Sequence, residues 1–187
     1  MDKIYFAKTK PDAIIPSKEE ENAGYDIYAC FEEDYFEIPS HETKLIPTGI
    51  AWASSPKYYL QIEERSSTGS KGIKRSAGVI DSGYRGEILI AITNSTKLSI
   101  IISKLEKEDF FKKYPKYNQN NTLVYPYKKA IAQGIVHIIP DLQVKEIPYE
   151  QLFKMESKRG KGGWGSSGKW KKSIKLFFYL SSFNISL

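Results

Sequence analysis

The stretch "GVIDSGYRGEILIAITN", residues 78–94, decides the fold that this sequence predicts. Its two apolar runs flank Asp81-Ser-Gly, a turn signal, so we expect a strand, a tight turn and a second strand. Similar short runs rich in Ile, Val, Tyr and Phe recur along the chain, with Pro, Gly, Asn and Ser between them. Short strands with turn residues about every ten positions are typical of an all-β sandwich or jelly roll.

Seven runs predict strands in addition to the first half of that stretch. They are KIYFAKT (3–9), YFEIP (35–39), KLIPTGIAWA (44–53), YYLQIEE (58–64), GEILIAITN (86–94), IAQGIVHIIP (131–140) and LQVKEIP (142–148). Helical periodicity with caps is scarce, and its best candidate is one short helix, SKLEKEDFFKKY (103–114). That helix lies in residues 97–127, which mix charge, Asn and Tyr and are interpreted as a long insertion at a hairpin.

The composition fits one globular domain with a sizeable core, since 187 residues are 41% apolar and 13% aromatic. The net charge of +6 favours an anionic partner, although solubility alone is an equally simple reading. One cysteine, Cys30, allows no internal disulfide, and with His41 and His137 it is too few for a structural zinc site. No apolar run approaches the roughly 20 residues that span a bilayer, so we expect no membrane span, and the single cysteine favours a reducing, intracellular compartment.

Four further stretches could carry chemistry. AGYDIYA (23–29) places Asp26 in a strand-like run, and ERSSTGSKG (64–72) offers an arginine, hydroxyls and glycine amides that suit phosphate. AIAQGI (130–135) puts the amide of Gln133 into an apolar strand, and RGKGGWGSSG (159–168) places Trp164 in a glycine-rich tail. Each has a plain alternative: Asp81 as a turn residue, the Arg and Ser as ordinary surface residues, Gln133 as a buried hydrogen-bond partner and the tail as a linker.

The order of the five stretches resembles the five ordered motifs of the trimeric dUTPases, the deoxyuridine triphosphate nucleotidohydrolases. KLIPTGI (44–50) is similar to that family's linking strand. The resemblance implies a jelly-roll-like subunit, a homotrimer with active sites at subunit interfaces, and hydrolysis of dUTP to dUMP and pyrophosphate with Mg²⁺. It also implies that the tail of one subunit closes over a site formed by its neighbours.

By position, the resemblance makes Asp81 the general base that activates the attacking water. Tyr84 matches the aromatic residue that packs under the deoxyribose and leaves no room for a 2′-hydroxyl. The hairpin backbone at Ala77, Gly78 and Val79 matches the segment that pairs with the uracil edge.

The remaining motifs supply the phosphate and metal contacts. Arg65, Ser66, Ser67 and Gln133 match residues of the phosphate region, and Asp26 matches a carboxylate that acts on Mg²⁺ through water. In the tail, Arg159 matches an arginine that binds the γ-phosphate, and Trp164 stands where the family usually has a phenylalanine stacked on uracil. The other matching tail residues, which face the terminal phosphate, are Gly165, Ser166 and Ser167.

Three positions depart from the family pattern. Glu64 stands where proline is usual, Ala130 occupies the basic position before Ile-Ala-Gln, and Gly134 replaces a large apolar residue. We expect a dUTPase-like β domain at 1–157, which includes the insertion 97–127. A glycine-rich arm follows at 158–168, and then an apolar extension at 169–187.

Two other functions remain open at this point: a dCTP deaminase-like enzyme of the same fold, and a non-catalytic protein that senses nucleotides. The intact GVIDSGY and RGKGGWGSSG motifs favour the hydrolase. Nucleic acid is not required for it. A cytoplasmic or nuclear location is expected, and the many Lys, Ile, Asn and Tyr residues suggest an AT-rich genome such as that of a large DNA virus.

Overall fold

The computed structural model describes residues 3–163, and this part of the chain contains twelve strands and three short helices. The strands are β1 (Tyr5–Lys8), β2 (Tyr25–Ile27), β3 (Tyr35–Ile38), β4 (Thr43–Pro47), β5 (Ile50–Ala53), β6 (Tyr58–Glu63), β7 (Ile73–Arg75), β8 (Val79–Ile80), β9 (Leu89–Asn94), β10 (Ser99–Ser103), β11 (Thr122–Pro126) and β12 (Ala132–Ile138). The helices are α1 (Ser66–Gly69), α2 (Lys107–Lys113) and α3 (Tyr149–Lys154). The expectation of an all-β fold is confirmed.

The strands form four small sheets, with the orders β1-β5, β11-β10-β3, β2-β12-β6-β8 and β4-β9-β7. All pairs are antiparallel except β10 and β11, which run parallel. That pair requires a crossover between the two strands, because parallel neighbours cannot be joined by a tight turn. The crossover contains α2, so the helix follows from the topology as well as from its sequence.

The core is built largely of isoleucine, a β-branched residue that suits a pleated surface. On β6 the buried residues alternate, with Leu60 and Ile62 facing the core. On β9, three successive residues, Ile90, Ala91 and Ile92, are buried. A strand buried on both faces reads as a continuous apolar run, and β9 is the middle strand of its sheet.

Residues 97–127 are more ordered than their polar composition indicates. The helix begins at Lys107 rather than at Ser103, because residues 99–103 form β10 beside β3. The run Ile100–Ile102 is the sequence signal for this strand, and it is fully buried. Phe110 of α2 packs on Tyr35 of β3, with ring centroids 5.3 Å apart.

The chain divides into two compact units, Met1–Asp141 and Leu142–Leu187. In the second unit, the expectation of a strand at LQVKEIP (142–148) is wrong, because those residues carry no regular structure. No described strand pairs with them, and Leu142 and Val144 are exposed. The helix α3 follows directly, and Lys161 lies 4.6 Å from the ring centroid of Phe153.

No helix within residues 3–163 has both the length and the apolar character needed to cross a bilayer.

Candidate active site

Three of the sequence motifs meet at one end of the sheet β2-β12-β6-β8. Asp26 lies on β2, Gln133 lies on β12, and the loop after β6 leads into α1 with Arg65, Ser66 and Ser67. These five residues line a cavity of about 350 Å³, together with residues 22–24. We call this cavity the phosphate pocket, because one guanidinium, two hydroxyls and an amide are donors that suit phosphate oxygens.

An ion pair between Arg65 and Asp26 forms one wall of the phosphate pocket. The Nε of Arg65 lies 2.9 Å from Asp26 Oδ1, and its Nη2 donates to Asp26 Oδ2 at 3.2 Å. Its Nη1 donates to the carbonyl of Ala130 at 3.3 Å, so all three guanidinium nitrogens have partners. The guanidinium is therefore fixed in one orientation, although both side chains remain about one third exposed.

Two further contacts set the shape of the phosphate pocket. Gln133 Nε2 donates to the carbonyl of Glu64 at 2.8 Å, which ties β12 to the loop after β6. Gly24 lies against this amide, and a Cβ there would approach Gln133 Oε1 to 2.5 Å. Thr68 is fully buried, and its hydroxyl bonds both the N–H and the carbonyl of Arg65. Thr68 does not stand out in the sequence, since a threonine among serines carries no distinct signal.

The structure explains how the departures from the family pattern are accommodated. The carboxylate of Glu64 accepts the N–H of Arg75 on β7 at 3.2 Å, and Glu64 does not line the phosphate pocket. Ala130 is buried, and its carbonyl accepts the hydroxyl of Tyr125 at 2.7 Å as well as Arg65. Burial raises the pKa of Tyr125, so that hydroxyl stays protonated and donates. The Leu60 side chain occupies the space beside Gly134, because a Cβ at position 134 would lie 2.9 Å from Leu60 Cδ1.

The third motif forms a separate cavity of about 230 Å³. It is lined by Val79, Ile80, Asp81, Tyr84, Glu87 and Leu89. Burial in the single chain does not fix Asp81, because the residue is exposed. Its backbone is fixed instead: the carbonyl of Asp81 accepts the indole N–H of Trp52 at 3.1 Å and the N–H of Tyr84 at 3.1 Å. We call this cavity the aspartate pocket.

Close contacts fix Tyr84, which lines the aspartate pocket, and Gly78, which precedes the lining residue Val79. The hydroxyl of Tyr84 donates to the carbonyl of Glu87 at 2.9 Å, and its ring covers Gly86, where a Cβ would lie 2.5 Å from the hydroxyl. The carbonyl of Gly78 accepts the N–H of Ile62 at 2.7 Å. A Cβ at Gly78 would lie 2.7 Å from the Ile62 carbonyl, so only glycine allows this approach. Ala77 and Val79, on either side of Gly78, are exposed.

The two pockets lie at different places along β6. Gln133 pairs with Glu63, whereas Ile80, the residue before Asp81, pairs with Leu60. These register positions are three residues apart, about 10 Å at ~3.3 Å per residue. The two pockets share no lining residue. One copy of the described chain therefore presents two separate pockets.

Of the predicted tail contacts, only Arg159 falls within the described residues. Arg159 belongs to the second unit, where its Nε donates to the carbonyl of Gly162 at 2.7 Å. The other predicted tail contacts, Trp164, Gly165, Ser166 and Ser167, lie outside the described residues, as does the extension at 169–187.

A jelly-roll-like β fold with a pocket rich in phosphate-binding donors defines a protein that binds phosphorylated ligands. Residues 10–107 match the sequence model of the dUTPase family. The deoxyuridine 5'-triphosphate nucleotidohydrolase of Crocosphaera subtropica is 33% identical over 169 residues, which cover 88% of this chain and 98% of that protein. The one from Candida albicans is 30% identical over 169 residues, which cover 89% of this chain and 87% of that protein. The chain belongs to the dUTPase family.

A solved structure agrees with this assignment of the fold. The Staphylococcus bacteriophage 80alpha dUTPase with dUPNHPP superposes with a TM-score of 0.68, over 89% of this chain and 98% of that chain. The two sequences are 24% identical. At that identity the likeness concerns the fold.

Proposed function

We propose that the protein is a dUTP diphosphatase, which hydrolyses dUTP to dUMP and pyrophosphate. The reaction joins the oxygen of a water molecule to the α-phosphorus and breaks the bond from that phosphorus to the oxygen that bridges to the β-phosphorus. Asp81 takes the proton of the attacking water, and the bridging oxygen leaves with the pyrophosphate. A carboxylate held in line with the phosphorus suits this role, because position and proton acceptance are both needed.

The observation that carries this proposal is the pair of separate pockets. The phosphate pocket supplies donors to a phosphate chain, and its one carboxylate among the described residues, Asp26, is already paired with Arg65. The aspartate pocket supplies an exposed carboxylate on a fixed backbone, next to the aromatic ring of Tyr84 and an exposed hairpin edge. Each half therefore provides what the other lacks.

The two halves combine in a homotrimer in which the aspartate pocket of one subunit faces the phosphate pocket of another. Exposed apolar side chains at the aspartate pocket support this arrangement, since Val79 is 63% and Leu89 is 43% exposed in the single chain. Tyr84 then packs under the deoxyribose, and its ring excludes a 2′-hydroxyl by steric clash. The backbone at Ala77, Gly78 and Val79 pairs with the uracil edge.

Mg²⁺ fits the donor set of the phosphate pocket. Among the described residues the pocket contains one carboxylate, Asp26, which is already paired with Arg65. One carboxylate in such a pair suits contact through water, and Mg²⁺ readily keeps waters and takes phosphate oxygens as ligands. The ion would supply charge neutralisation along the phosphate chain.

The tail completes the site in this proposal. Arg159 binds the γ-phosphate, Trp164 stacks on uracil, and Gly165, Ser166 and Ser167 donate to the terminal phosphate. Closure of the arm expels water and strengthens the contacts to the phosphates.

Release of pyrophosphate from each deoxynucleoside triphosphate with Mg²⁺ tests the activity. We expect turnover of dUTP and little of the others, and Asp81→Asn should lower kcat by about a hundredfold to ten-thousandfold while nucleotide binding persists. Asp109→Asn, the same change on the exposed face of α2, serves as the control and should leave kcat unchanged. Release of ammonia from dCTP, or full turnover by the Asp81 variant, would contradict the proposal.

A further inference from the structure

A further cavity of about 420 Å³ also contains the ion pair of Arg65 and Asp26 in its lining. It shares these two residues and Ser67 with the phosphate pocket, so the two cavities adjoin. Its other lining residues include Lys71, Lys128 and Lys129. We call this cavity the lysine pocket.

The lysine pocket carries positive charge that the described chain leaves unneutralised. Its only carboxylate, Asp26, is paired with Arg65. Within residues 3–163 the three ammonium groups form no hydrogen bond and no ion pair, and Lys71 Nζ lies 5.7 Å from the ring centroid of Tyr125. Three unpaired cations around one cavity repel each other, and a bound polyanion removes that repulsion.

The local backbone holds these lysines at the cavity. Lys128 and Lys129 lie in the turn between β11 and β12, where the N–H of Lys129 bonds the carbonyl of Pro126 at 3.0 Å. The next residue, Ala130, is buried and accepts hydrogen bonds from Arg65 and Tyr125. Ala130 occupies the position where the family pattern has a basic side chain. The sequence thus places its cations one and two residues earlier, on the lysine pocket side of Arg65.

We propose that the lysine pocket is a second anion site, which binds inorganic diphosphate while a nucleotide occupies the phosphate pocket. The volume falls in the usual range for small-molecule sites, and lysine binds phosphate groups as a point charge. The proposal rests on the proposed function only for the source of the diphosphate, which the hydrolysis releases next to this cavity.

The test is a calorimetric titration of inorganic diphosphate into the full chain, alone and saturated with the non-hydrolysable analogue dUPNHPP. We expect two diphosphates per chain to bind to the free protein, one in each pocket, and one to bind to the saturated protein, where only the lysine pocket is open, with an affinity that falls as salt rises. The double variant Lys128→Gln/Lys129→Gln should bind diphosphate at least about tenfold more weakly, and Lys128→Arg/Lys129→Arg should restore the affinity. The matched control is Lys57→Gln/Lys97→Gln, which removes the same charge from exposed positions outside this cavity.

Two results would overturn the proposal: no binding of diphosphate to the saturated protein, or equal loss of affinity in the control and pocket variants. The thermal unfolding midpoint of each variant shows whether it is folded. Pyrophosphate release from dUTP is measured separately on the unchanged protein. A chain that fails to hydrolyse dUTP refutes the proposed function, while the titration into the free protein and its variants still decides the anion site.

Discussion

At the scale of single residues, the position of Asp81 depends on Trp52. Trp52 is 2% exposed, so its indole is fixed by the core, and its N–H reaches out to the carbonyl of Asp81. The side chain of Asp81 is exposed, so this backbone anchor, rather than packing of the side chain, positions the residue. Positioning of a reacting group contributes strongly to rate, so the anchor should matter for catalysis.

Trp52→Phe keeps an aromatic ring in the core and removes the donor to Asp81. We expect kcat for dUTP to fall by about tenfold with a small change in KM, and stability to fall by about 1–2 kcal/mol. Ile50→Val, in the same strand, is the control, because it should cost about 1 kcal/mol without touching Asp81. Steady-state kinetics and urea unfolding measure both effects. A loss of kcat in Ile50→Val that equals the loss in Trp52→Phe would assign the effect to stability alone.

The sequence indicated which motif residues carry phosphate chemistry, and the structure brings Asp26, Arg65 and Gln133 to one cavity. Their contacts with a nucleotide stay a prediction. The role of Trp52 could not be predicted, because a tryptophan in a strand is interpreted as a core residue. Only the fold shows that its N–H donates to a carbonyl 29 positions away. The lysine pocket was missed for a similar reason, since Lys71 and Lys128 come from distant loops.

At the scale of elements, the fold followed the sequence where strands are local and apolar. β6, β9 and β12 lie in the runs that predicted them. The prediction failed where a strand depends on its partner in the sheet. LQVKEIP has the alternating pattern of a strand, but no described strand pairs with it. In contrast, β10 and β11 pair in parallel, although a helix separates them in the sequence. The charged residues and asparagines of residues 97–127 obscured the strand signal of Ile100–Ile102. That strand, β10, is the middle strand of its sheet.

The carboxyl group of Asp34 joins α2 to the start of β3. It accepts hydrogen bonds from the ammonium of Lys113 and from the hydroxyl of Tyr114, the latter at 2.6 Å. These two bonds, that of Lys113 first, hold the pKa of Asp34 below its ordinary value of 3.8. The pKa is lower in the folded state, so the contact stabilises the protein above the ordinary pKa and is lost as pH falls through the folded value.

Titration of the Asp34 carboxyl carbon by NMR should therefore give a midpoint below 3.8. Lys113→Met should move the midpoint up toward that value, whereas Lys112→Met, one residue earlier on α2, should not. Asp34→Asn should lower the thermal unfolding midpoint at pH 7, and its deficit should shrink as the pH falls below 3.8. An unshifted midpoint in the unchanged protein would show that Lys113 does not engage this carboxyl in solution.

At the scale of the whole molecule, the separation of the two pockets predicts that activity depends on how the subunits assemble. The proposed function needs the aspartate pocket and the phosphate pocket together, and in one chain they lie at different positions along β6. Under that proposal a single chain is only part of an enzyme. Activity should therefore depend on which chains meet, as well as on which residues each chain carries.

Two inactive variants should restore activity when they assemble together. Asp81→Asn keeps the phosphate pocket, Arg65→Gln keeps the aspartate pocket, and each variant alone should turn over dUTP poorly. Co-expression with two affinity tags yields mixed trimers, in which one site of three, about one third, combines an intact Asp81 and an intact Arg65 from different chains. The expected kcat per site of the purified mixed trimers is thus about one third of the unchanged value. If both residues acted within one chain, every site would lack one of them, and mixed trimers as inactive as the parents would refute the shared site.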